Sequence, residues 1–312
     1  MQYLFGVDVG GTTIKIGLVS YEGSLLDSFE IKTNTQEDGK YILTEIRDAI
    51  YNYLNEKNIN KNDVVGIGFG VPGPVVNNVV CRCINLGWPI VDVKDEFGKL
   101  LDFNPNIACG NDASVAALGE MNACGDTEIK NSVMFTLGTG VGGGIIMNNT
   151  IVDGTNGGGG ELGHLHLDTV HNYKCNCGLT GCLETVASAT GVVRLALEYL
   201  HTMPSVLNDL SEEKLDCRAV FDAAKAGDEL ALKVVDEVAY YIGLAASIVA
   251  CVVDPQIFIV GGGVSKAGQI LIDCIEKHYQ KLSFHAMRHT KFALAKLGND
   301  AGMLGAALLA KK

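Results

Sequence analysis

Proline is scarce in this chain, at 6 of 312 residues, and basic residues are outnumbered, with Lys+Arg 24 against Asp+Glu 36. So few prolines exclude a low-complexity linker as the source of the many glycines. The formal net charge of −12 repels a phosphate backbone, so no nucleic-acid partner is expected. No apolar stretch reaches the roughly 20 residues of a membrane span. The longest, 238–253, contains Tyr240, Tyr241 and Ser247 and reads as a buried helix, so no membrane partner is expected either. Residues 1–8 lack a basic segment and carry Asp8 where a signal peptide needs its apolar core. A cytoplasmic location is therefore expected, with the 10 cysteines serving metal binding or burial rather than disulfides.

What is present is a globular composition: 47% hydrophobic and 19% charged residues, enough to bury a full core. That excludes intrinsic disorder and a disulfide mini-scaffold. At roughly 150 residues per domain the length suggests two domains. Glycine numbers 38, where the usual share of about 7% would give about 22. Such an excess implies backbone that something approaches closely.

Strands are expected over 3–7, 14–19 and 25–31, the first two joined by Gly10-Gly11, then an amphipathic helix over 41–54 and a strand over 64–69. This alternation is the α/β class. The stretch Leu4 to Thr12 and the stretch Phe135 to Gly143 share one design, a short apolar strand, a glycine turn with threonine, and another apolar strand. We read them as an internal duplication, two halves facing a cleft with a glycine hairpin on each wall, suited to a polyphosphate. Helices follow over 184–200 and Glu229–Val253, then a strand over 257–260 and a last helix over 301–310 that packs back on the first domain. The expected domains are 1–110 completed by 301–312, and 111–300.

Three constellations carry chemistry. In the first, Asp8, Gly10, Gly11, Thr12, Thr13 and Lys15 combine backbone N–H groups, hydroxyls and a cation for phosphates, with a carboxylate for Mg²⁺ through water. The spacing fits neither the P-loop nor the dinucleotide fingerprint. One such turn is equally an ordinary hairpin, but the second, Gly138, Thr139, Gly140, Val141, Gly142 and Gly143, makes the phosphate reading the better one. In the second constellation, Asn111 and Asp112 lie between a strand at 107–109 and a helix starting near Ala113. Either could cap that helix; in a cleft, Asp112 would accept a proton from a hydroxyl that Asn111 orients. The third is His164 with Cys175, Cys177 and Cys182, a closed tetrahedral zinc shell of the structural kind, the alternative being three buried thiols. Such a metal would fix Glu161 and Glu184 as acceptors for sugar hydroxyls. His166, His171, Cys81 and Cys83 read as structural.

Together these residues resemble the ROK family of bacterial sugar kinases and sugar-responsive repressors, within the actin-like ATPase superfamily. The resemblance spans nearly the whole chain and implies two actin-like, ribonuclease H-like α/β domains with a cleft between them. It implies that Asp112 is the catalytic base, that Asn111, Glu161, His164 and Glu184 contact the sugar, and that His164 gives one ring nitrogen to zinc and one to sugar. Gly261, Gly262 and Gly263, after Asp254-Pro255, are similar to the segment that holds adenosine. The implied cofactors are ATP, Mg²⁺ and structural Zn²⁺, and the implied partners are a sugar, a nucleotide and further copies of the chain in a dimer or tetramer. The repressors carry a helix-turn-helix before the first phosphate motif, and only Met1 to Gly6 precede Val7 here, so a kinase is expected. Its expected reaction is ATP-dependent phosphorylation of a hexose at the 6-hydroxyl. Val71 to Pro74 and Asn85 to Trp88 look most like the family's glucose kinases. N-acetylglucosamine, N-acetylmannosamine, fructose and mannose are the alternative substrates, and a sugar-sensing regulator without turnover is the alternative of another class. Trp88 is expected near the wall around C2, unless it is simply packed in the core.

Overall fold

The computed structural model describes residues 1–211 and 214–311. The chain opens with the antiparallel strands β1 (Tyr3–Val9), β2 (Thr13–Ser20) and β3 (Leu25–Lys32), a helical turn α1 (Gln36–Gly39) and helix α2 (Ile42–Glu56). Strand β4 (Val64–Val71) then runs parallel to β1. A small ribbon of β5 (Val75–Val76), β6 (Val79–Val80) and β7 (Val91–Asp92) precedes α3 (Val93–Leu100). Strand β8 (Asn106–Asn111) pairs in parallel with β4 and passes directly into α4 (Asp112–Ala123).

Next comes β9 (Ser132–Leu137), then β10 (Val141–Met147) and β11 (Thr150–Ile151). Helices α5 (Glu184–Ala187), α6 (Ala189–Leu200), α7 (Cys217–Lys225) and α8 (Glu229–Val253) follow. Strand β12 (Ile257–Gly261) pairs in parallel with β9 and, beyond helix α9 (Gln269–Leu282), with β13 (Lys291–Leu294). Helix α10 (Ala301–Leu309) ends the fold. The sheet order β3-β2-β1-β4-β8 recurs as β11-β10-β9-β12-β13, the repeat that the two glycine motifs announce.

These elements make two compact units. The first contains Met1–Thr127, Gly144–Gly160 and the chain from Leu297 onward; the second contains Glu128–Gly143 and Glu161–Lys296. Asn111 and Asp112 thus belong with the first unit, and the boundary expected after residue 110 falls later. The reason is that α4 continues a strand of the first sheet and packs against α10.

In the first unit the central strands are apolar on both faces because both are covered. Phe5, Ile16 and Phe69 meet Ile46 and Ile50 of α2 on one side, while Leu4 and Val19 meet Leu304 and Ala307 of α10 on the other. Part of the glycine excess is spent here: a Cβ on Gly68 would lie 1.7 Å from the Ala306 carbonyl oxygen, and one on Gly6 1.8 Å from that of Met303. Only bare backbone lets α10 lie so close to β1 and β4.

In the second unit the expected helix over 184–200 is two helices. Ser188 is extended (φ −82°, ψ 170°) and its hydroxyl accepts from the Gly191 N–H, which ends α5 and caps α6. Helix α8 is long and apolar enough to cross a membrane, but 67% of its most apolar window is buried within the protein, as in a core helix.

Candidate functional site

In the first unit, β1 and β2 are joined by a tight turn in which the Gly10 N–H donates to the Thr13 carbonyl at 3.1 Å and the Thr33 hydroxyl to the Gly10 carbonyl at 2.6 Å. Gly11 and Thr12 are exposed at its tip. Asp8 sits opposite Lys15 in the β1–β2 register. Burial pushes the Asp8 carboxyl above its ordinary range, the Asp112 carboxylate adds to this, and Lys15 works against both. Gly302 permits the close packing, since a Cβ there would lie 2.8 Å from Asp8 Oδ2. Two carboxylates distant in sequence therefore share one electrostatic environment, an arrangement that suits a hard divalent cation.

The cap question is settled by geometry. Asn111 is the N-cap of α4: its Oδ1 accepts from the Ser114 N–H at 3.1 Å, and its Nδ2 donates to the Gly73 carbonyl at 3.1 Å. Asp112 is the first helical residue, half-buried, with Oδ1 2.8 Å from the Ala113 nitrogen. Its carboxylate thus stands at the N-terminus of a twelve-residue helix, the end whose dipole is complementary to negative charge.

In the second unit the glycine turn is closed by a hydrogen bond from the Gly138 N–H to the Gly140 carbonyl at 2.9 Å, and the Ala189 N–H donates to the Gly138 carbonyl at 2.8 Å. Glu184 packs beneath it: a Cβ on Gly140 would meet Glu184 Oε2 at 2.6 Å, and the Val141 N–H points at the same oxygen from 3.5 Å. The other carboxylate oxygen accepts from the Cys175 thiol at 3.0 Å. Burial and this carboxylate hold Cys175 well above the ordinary thiol range, whereas the Leu179 N–H lowers Cys177.

The expected metal ligands converge. One donor atom from each of His164, Cys175, Cys177 and Cys182 lies within 4.8 Å of every other. Cys177 and Cys182 Sγ are 3.7 Å apart, and His164 Nδ1 is 3.7 Å from Cys175 Sγ. A tetrahedron with bonds of about 2.3 Å to sulfur has edges of about 3.8 Å, so the cluster fits zinc with little movement. His164 Nδ1 faces the thiols and Nε2 faces Glu161 Oε2 at 3.9 Å.

Other expectations fare differently. Of the adenosine glycines, Gly261 and Gly262 leave no room for a side chain: a Cβ would come within 2.6 Å of Met134 Cε in the first case and 2.4 Å of the Leu137 carbonyl oxygen in the second, where φ is also +84°. Gly263 is open, and it lines a cavity of about 580 Å³ together with Phe221, Lys225, Val264 and Lys266. That volume lies in the range of small-molecule sites. The α7 residues of this cavity carried no usable signal, because Arg218, Asp222 and Lys225 read as an ordinary solvated helix face. Trp88 is a core residue, 4% exposed, whose indole N–H donates to the Gly39 carbonyl at 3.0 Å. His171 is bound between Glu198 and Glu237 at 3.2 and 2.7 Å.

A glycine hairpin in each of two repeated α/β units, with an acidic pair on one and a Cys/His cluster on the other, defines a sugar kinase of the two-domain actin-like fold. The sequence pattern of the ROK family matches residues 4–312, and the chain belongs to that family. It is 41% identical to the glucokinase of Halalkalibacterium halodurans, over 100% of this chain and 96% of that protein. With the glucokinase of Thermotoga maritima it shares 34% identity, over 99% and 97%. A crystal structure of a ROK family glucokinase from Streptomyces griseus in complex with glucose and AMPPNP superposes with a TM-score of 0.74 at 33% identity, covering 99% of both chains.

Proposed function

We propose that this protein phosphorylates glucose at its 6-hydroxyl with ATP. The observation that carries this reading is the division of labour at the start of α4. Asn111 takes the capping role and leaves the Asp112 carboxylate at the helix N-terminus beside Asp8. Full-length similarity to glucokinases supports glucose as the sugar.

Asp112 accepts the proton of the 6-hydroxyl while that oxygen attacks the γ-phosphorus, and ADP leaves. Asn111, Glu161, His164 and Glu184 hold the remaining hydroxyls, His164 through Nε2. The exposed turns around Gly11, Thr12 and Thr139 present backbone and hydroxyl donors to the phosphates, and Lys15 adds a cation. Asp8 would hold Mg²⁺, which would supply neutralisation of charge on the phosphates. The cavity at Gly263 takes adenosine. His164, Cys175, Cys177 and Cys182 would hold a structural zinc, which would brace the loops bearing Glu161 and Glu184. The enzyme works in the cytoplasm as a homo-oligomer.

The test is a coupled assay of purified protein with ATP against glucose, fructose, mannose, N-acetylglucosamine and N-acetylmannosamine. Glucose should give the highest kcat/KM. A preference for an N-acetyl sugar would reassign the substrate, and sugar binding without turnover on any of them would make the chain a regulator.

A further inference from the structure

Beside the glycine turn of the second unit lies a cavity of about 140 Å³ whose lining includes Thr139, Lys174, Glu184, Ser188, Thr190 and Arg194. It is much smaller than the adenosine-sized cavity and has a different character. Two cations face it, and among the described residues neither Lys174 nor Arg194 makes an ion pair. Arg194 is held in place: its Nη1 donates to the Thr185 carbonyl at 2.6 Å and its guanidinium lies 4.7 Å from the centre of the Tyr173 ring. Hydroxyls line the same wall, with Ser188 Oγ 2.9 Å from Thr190 Oγ1, which donates to the Thr139 carbonyl at 3.1 Å. Among the described residues Glu184 is the single carboxylate in the lining, with Oε1 3.0 Å from Cys175 Sγ and Oε2 3.5 Å from the Val141 nitrogen.

We propose that Lys174 and Arg194 form the cationic wall of an oligophosphate site, which receives the phosphate chain of the phosphoryl donor at the Gly138–Gly143 turn. The inference rests on the kinase reading for its biological meaning but not for its chemistry, which is that of an anion with several oxygens meeting two unpaired cations and fixed hydroxyls. Ser188 and Ala189 are consecutive, one lining this cavity and the other the cavity at Gly263. A base in the larger cavity would therefore have its phosphates directed toward the smaller one. Lys174 immediately precedes Cys175, so the metal loop serves the donor as well as the sugar.

The experiment is calorimetric titration of the full-length protein, without sugar, with ATP, inorganic tripolyphosphate and adenosine. Lys174→Glu is expected to weaken ATP binding at least about tenfold, the size of a lost charge-assisted contact, and to flatten its salt dependence. Lys174→Arg should restore the affinity, and adenosine should bind all variants alike. Lys174 is exposed, so the substitution leaves the fold intact; Arg194→Lys, which keeps the charge and loses the fork, should give a smaller loss. Weakening of ATP alone supports a site for the nucleotide's tail, and parallel weakening of tripolyphosphate supports one open to free oligophosphate as well. Unchanged ATP affinity in both Lys174→Glu and Arg194→Lys would overturn the proposal. Because no turnover is measured, a protein that phosphorylates no sugar would sink the kinase reading while leaving this result readable.

Discussion

Glu184 Oε1 lies 3.0 Å from Cys175 Sγ, so one carboxylate ties the Cys/His cluster to the glycine turn it also underlies. The cluster's effect should accordingly spread to both substrates. Purified protein is expected to carry one zinc per chain by metal analysis. Cys177→Ser should release it, lower the unfolding midpoint and raise KM for glucose and ATP together, with a smaller effect on kcat. Metal-free wild type of full activity would show that the thiols hold no metal the enzyme needs.

Asp112→Asn preserves size and hydrogen bonding and removes the proton acceptor. Turnover should fall by about 10²–10⁴-fold, the range for general base catalysis, while glucose binding measured by calorimetry stays within a few-fold of wild type. Near-normal kcat would reduce Asp112 to a helix-terminus residue.

Asp8 predicts a trade between stability and activity. Its carboxyl is raised in the folded protein by burial and by Asp112. The folded state therefore binds the proton more tightly than the unfolded state, and stability falls as pH rises from the ordinary carboxyl value of 3.8 through the raised folded value. Above that window the ionised group is a standing cost. Asp8→Asn should melt at a higher temperature than wild type at pH 7, with the gain shrinking as pH falls toward about 4 and absent below it, and should lose activity that depends on Mg²⁺. Equal melting temperatures at neutral pH would mean that a neighbouring cation offsets the burial.

Gly68→Ala tests the seat of α10. The added Cβ would stand 1.7 Å from the Ala306 carbonyl oxygen, and backbone cannot turn aside as a flexible side chain can. A loss of roughly 1–3 kcal/mol or more is expected in denaturant unfolding. Gly138→Ala, where a Cβ would meet nothing within 4 Å, should leave stability nearly unchanged.

What the sequence determined by itself is whatever depends on neighbours along the chain. Short apolar runs bounded by turn residues mark β1, β2 and β4, the 3.6-residue spacing of apolar positions marks α2, and a long apolar run marks α8. The glycine turns, the His164 and Cys175 to Cys182 spacing and the Asn111-Asp112 pair are local patterns with a chemical meaning of their own. The tertiary structure decided what depends on which backbone lies opposite. It assigned the cap to Asn111, broke the helix at Ser188, and put Trp88 in the core against Gly39. It also showed that Gly6 and Gly68 face α10, whereas Gly11 faces solvent. Glycine has no side chain to record its neighbour, so the composition announced close approach without saying to what. Lys174 and Arg194 were silent for a related reason: a lone cation has no spacing to read, and only folding brings the two to one cavity.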